Sequence, residues 1–67
     1  MCKEVLRCAV QLLRDARNNI EDSIDDIVDA MTSGQEVYRE HAVKLIEAAI
    51  SELSEALKLV KGVITCE

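Results

Sequence analysis

The chain has 67 residues, enough for one domain, with a net charge of −5 and 31% charged against 49% hydrophobic residues. A single Tyr is the only aromatic side chain and Pro is absent, which excludes an aromatic-rich core and any proline break in a helix. No apolar run approaches the ~20 residues of a membrane span, and Met1-Cys2-Lys3-Glu4-Val5 lacks the apolar core of a secretory signal.

The initial Met reads as the start of an intact small protein. Three cysteines, an odd number without metal-ligand spacing, fit a reducing compartment, so a cytoplasmic location is expected. A domain of this size sits at the edge of what one core can stabilise, which predicts a second stabiliser.

The first predicted element is a helix over about 3–31. Leu6, Leu13, Ile20 and Ile27 recur every seven residues, flanked by Val10, Ile24 and Met31. A sustained seven-residue repeat is the signature of left-handed coiled-coil packing. Beside it runs a line of small residues, Ala9, Ala16, Ser23 and Ala30, which would let a neighbouring backbone approach closely. Arg17 interrupts the line of Val10 and Ile24 and is expected to snorkel and pair with Glu21 four residues on. Lys3, Arg7 and Arg14 form a weak basic strip.

The turn is placed at 32–35. Ser33 followed by Glu36 matches the S-x-x-E capping box, whereas Gly34 suits the left-handed residue that ends a helix. Both readings stay open. The second helix is expected over about 34–63, with Ile46, Leu53 and Val60 flanked by Val43, Ile50, Leu57 and Ile64, and a small-residue line at Ala42, Ala49 and Ala56. A connection this short makes the two helices antiparallel neighbours. The fold class is therefore all-α: one domain over 1–67, an antiparallel two-helix hairpin dimerising into a four-helix bundle. The two aliphatic stripes are expected to meet inside the hairpin. Leu12, Leu45 and Leu59 would then widen the apolar surface into an oligomer interface covered by a second copy.

Charge is uneven along the rod. Residues 18–40 hold Glu21, Asp22, Asp25, Asp26, Asp29, Glu36 and Glu40 against Arg39 alone, a net −6, while residues 1–17 carry +2 and residues 41–67 carry −1. The turn end is thus acidic. Asp22, Asp25, Asp26 and Asp29 share one side of the first helix, yet the Glu-x-x-His partners of bundle metal sites are missing, because Tyr38 stands three residues before His41. No metal or cofactor is expected, and His41 reads as a solvated surface residue. Cys–His, Ser–His–Asp and Gly-rich phosphate patterns are absent, which argues against an enzyme. Cys2 and Cys66 come near each other in an antiparallel hairpin. A disulfide between them stands beside the alternative of Cys2 and Cys8 as small apolar fillers with Cys66 a terminal thiol.

The hairpin outline resembles the repressor-of-primer RNA-binding hairpin dimers in topology, with no residue of their RNA-binding face matched. Ser51-Glu52-Leu53-Ser54-Glu55 resembles the Ser-Gln-Glu-Leu-Asp motif of small sporulation phosphatases, with Glu in place of the closing Asp. The expected function is a small non-enzymatic interaction module, of the type of a phage or plasmid inhibitor or adaptor, whose acidic end binds a basic surface of a partner protein. The alternative is an RNA- or DNA-binding regulator using Lys3, Arg7 and Arg14, doubled by dimerisation. The overall negative charge and the lack of aromatics in that strip argue against nucleic acid.

Overall fold

The computed structural model describes residues 2–63, which form α1, Cys2–Ser33, and α2, Glu36–Gly62. Contacts Asp26–His41 and Asn19–Glu52 move away from the turn in opposite directions along the two helices, so α1 and α2 run antiparallel. The result is a rod of 53 × 13 × 11 Å. No strand occurs among the described residues. The helices have 32 and 27 residues, and no helix of the described residues is long and apolar enough to cross a membrane.

At the turn, the two sequence readings resolve in favour of glycine. Gly34 has φ +69°, and its N–H donates to the Ala30 carbonyl at 2.9 Å, the left-handed cap of a helix C-terminus. The capping box does not form. Gln35, not Ser33, is the N-cap of α2, and no side chain caps that helix. Ser33 instead extends α1 beyond its expected end: its hydroxyl donates to the Asp29 carbonyl at 2.7 Å and accepts from Gln35 N–H at 3.2 Å. Thr32 Oγ1 likewise donates to the Val28 carbonyl at 3.1 Å. These local bonds turn both hydroxyls back onto carbonyls one turn earlier in the same helix, so neither is free to cap α2.

A Cβ at Gly34 would meet nothing within 4 Å, so substitution there carries only a backbone penalty. Gly34→Ala is expected to destabilise the hairpin by ~1–2 kcal/mol, the cost of a left-handed L-residue. Chemical denaturation checks this, and an unchanged midpoint would mean the turn can close in another conformation.

The seam between the helices is built from the small-residue lines. Ala9, Ala16, Ala42, Ala49 and Ala56 are the buried apolar residues, and Ser23 is buried with them, its hydroxyl turned back onto the Ile20 carbonyl at 2.7 Å. Val5, Leu12, Leu45 and Leu59 flank this line, half-buried. The aliphatic stripes expected at the centre lie outside it: Leu13, Ile20, Ile46 and Leu53 keep 38–44% of their surface exposed. The reason is geometric. On each helix the apolar lines span roughly 150° at 100° per residue, more than one neighbouring helix can cover. Within the hairpin, the lines that allow the closest backbone approach take the contact, and the larger side chains are left beside it.

Cys2 is disulfide-bonded and Cys8 is free and exposed. The alternative of Cys2 as a small apolar filler is thereby set aside; Cys66, the partner considered for it in the sequence, lies outside the described residues. The disulfide at Cys2 removes the cysteine count as an argument for a reducing compartment.

Candidate functional site

The hairpin has two unlike broad faces. On the first, Leu6, Leu13, Ile20 and Ile27, with Val10, Ile24 and Met31 beside them, line α1. Ile46, Leu53 and Val60, with Val43, Ile50 and Leu57, line α2. All thirteen are at least 36% exposed. That the two stripes share one face is shown by an open apolar groove lined by Leu13 of α1 with Leu53, Ala56, Leu57 and Val60 of α2. Leu12, Leu45 and Leu59 do not belong to it. They are half-buried along the seam of their own hairpin.

The opposite face is polar, and among the described residues it holds the side-chain hydrogen bonds that join the two helices. His41 Nδ1 bonds the Asp26 carboxylate, whose side chain is 15% exposed against 60% for His41. His41 is exposed, as the sequence reading expected, and is also anchored across the hairpin. Further from the turn, a heptad along α1 and three turns along α2, Asn19 Nδ2 donates to Glu52 Oε1 at 2.7 Å, both residues half-buried. Sequence reasoning passed over this pair. Its signal was present: Leu12, Asn19 and Asp26 are seven residues apart, as are Leu45, Glu52 and Leu59. Polar groups at such positions fix register at some expense of stability.

The seven carboxylates of the acidic end are not one patch. Asp26 is held in the seam by His41. Glu36 is held by Arg39, whose Nε donates to its Oε1 at 2.8 Å. This hydrogen bond, aided by the negative charge of Glu36, raises the Arg39 pKa above its ordinary value. Glu36 stays exposed despite this pairing, as do Glu21, Asp22, Asp25, Asp29 and Glu40. Among the described residues no group of three or more His, Cys, Asp or Glu is placed to hold a metal ion. Arg17 and Glu21 form no ion pair.

Fold and surface together define an antiparallel helical hairpin with an alanine seam, one aliphatic face and an acidic turn end. No family model, no curated protein and no solved structure matches the chain, so neither resemblance noted in the sequence gains support.

Proposed function

We propose that the chain is a non-enzymatic protein-interaction module. In this reading two hairpins join through their aliphatic faces into a four-helix bundle, and the acidic turn end binds a basic surface of a partner protein, as an inhibitor or adaptor would. The observation that carries it is the aliphatic face: thirteen large side chains exposed together on a rod whose own core is mostly alanine. Such a face exceeds what a lone small protein leaves in water. The exposed carboxylates at the turn supply the second surface, since charge complementarity steers and selects partners.

The acidic part is tested with Asp22, Asp25 and Asp29 changed together to Asn. Asp26 is left intact because it holds His41 in the seam. The variant should fold like the parent, or slightly better, because carboxylates near the C-terminus of α1 oppose its dipole. Protein captured from the native host by the parent should be captured less by the variant. It should also dissociate as salt rises beyond ~0.15 M, where the screening length is ~8 Å. Equal, salt-resistant capture by parent and variant would make the acidic run a solvated surface only.

A further inference from the structure

We infer that the aliphatic face is covered by a second copy of this chain laid antiparallel, with the turn end of each hairpin over the open end of the other. This rests on the self-association proposed above and adds its geometry and its consequence. Three observations carry it.

The first is area. The face presents on the order of 1,000 Å² per copy, against roughly 800 Å² from each partner in a standard interface. The second is symmetry. The α1 stripe of Leu6, Leu13, Ile20 and Ile27 has its midpoint between Leu13 and Ile20, and the α2 stripe of Ile46, Leu53 and Val60 has its midpoint at Leu53. The Asp26–His41 and Asn19–Glu52 contacts set residues whose numbers add to 67 and 71 side by side, so both midpoints lie at one level of the rod. A two-fold axis through that level, perpendicular to the rod, matches both stripes at once. Leu13 meets Ile20 of the second copy, Ile46 meets Val60, and Leu53 meets itself.

The third observation is the charge along the rims of the face. At the open end the rims carry Arg7 and Arg14 on α1 and Lys61 on α2; toward the turn they carry Glu21 on α1 and Glu40 and Glu47 on α2, all exposed. The antiparallel arrangement sets Arg14 beside Glu21 of the second copy and Glu47 beside Lys61. A parallel arrangement, with both turns at one end, instead sets α1 over α2. It brings Arg7 against Lys61 and Glu21 against Glu47, like charge against like. Interfaces use such complementarity to fix register and to exclude the wrong pairing. Arg17, the charge inside the α1 stripe, lies near the two-fold, where its long stem reaches the rim between the Glu21 carboxylates of the two copies. The consequence is bivalency: the two acidic turn ends stand at opposite ends of one assembly, so a single dimer presents two identical sites to basic partners.

The test uses the full chain with Cys8→Ser and Gln35→Cys, spin-labelled at position 35, together with mass measurement by light scattering. A dimer mass and a label separation near the 53 Å length of the rod are expected. A dimer whose labels lie within two helix diameters, roughly 20–24 Å, overturns the antiparallel arrangement while leaving self-association standing. A monomer mass up to high micromolar concentration overturns both. In parallel, Arg14→Glu should weaken dimerisation about tenfold by placing like charges together, and adding Glu21→Arg should restore it. These two positions are seven residues apart on one helix and do not touch within a copy, so rescue reports the contact between copies. A double variant as weak as the single one overturns the proposed pairing.

Discussion

Ala16→Leu is expected to destabilise the hairpin by ~1–3 kcal/mol or more, the usual penalty for forcing methylene groups into a close-packed core. Ala16 is 0% exposed, and Ala49, at the same level of α2, is 3% exposed. There is no space at this level into which a leucine can turn without parting the backbones. For a domain of this size each kcal/mol lowers the melting temperature by roughly 4–8 °C. Ala49→Leu should cost a similar amount, and the double variant less than the sum, because once the helices have parted the second leucine enters a seam already opened. Ile24→Leu on the aliphatic face, at 55% exposure in the single hairpin, is the control and should stay within ~0.5 kcal/mol in dilute solution, where no second copy covers it. If Ala16→Leu melts like the parent, the helices contact through their aliphatic stripes and the alanine seam is incorrect.

The contrast between Ala16 and Ile24 also marks where sequence reasoning succeeded and where it stopped. The seven-residue repeat, the lack of any proline and the glycine at the turn were sufficient for two antiparallel helices, because each is a local signal. Which side of a helix faces its neighbour is not local. Both the alanine lines and the aliphatic stripes repeat every seven residues, so periodicity alone ranks them equally, and hydrophobicity favours the stripes. The deciding quantity is how closely two backbones approach, which favours small side chains within a hairpin and leaves the large ones for a second layer. The capping box was misplaced for a related reason. Ser33 turns its hydroxyl back onto a carbonyl of its own helix, and the left-handed Gly34 then sets the chain's exit before Ser33 can serve α2. Of the acidic residues, Asp26 could have been set apart in the sequence by its seven-residue spacing from Asn19 and Leu12. The binding role of the others had no such signal, since exposed carboxylates look alike whether they meet a partner or only water.

The cost of Leu53→Ala is expected to depend on protein concentration. Leu53 is 41% exposed in the single hairpin, so truncation there should cost less than ~1 kcal/mol while the chain is alone. Under a second copy it becomes a buried side chain, and its loss should cost ~2–5 kcal/mol. The parent's melting temperature should rise with concentration, because association stabilises by mass action, and Leu53→Ala should shift that rise to higher concentration. Leu12→Ala provides the contrast. Leu12 is half-buried in the seam of its own hairpin, so its truncation should already lower helix content in dilute solution, where Leu53→Ala has little effect. Circular dichroism melts across a hundredfold range of concentration separate the two. Melting temperatures independent of concentration for all three proteins would mean that the aliphatic face stays uncovered. Similar behaviour of both variants at every concentration would mean that seam and face are not the separate surfaces they are taken to be. If only Leu53→Ala shifts the association, the alanine seam holds each hairpin together and the aliphatic stripes hold the copies together, two contacts of different depth drawn from one seven-residue repeat.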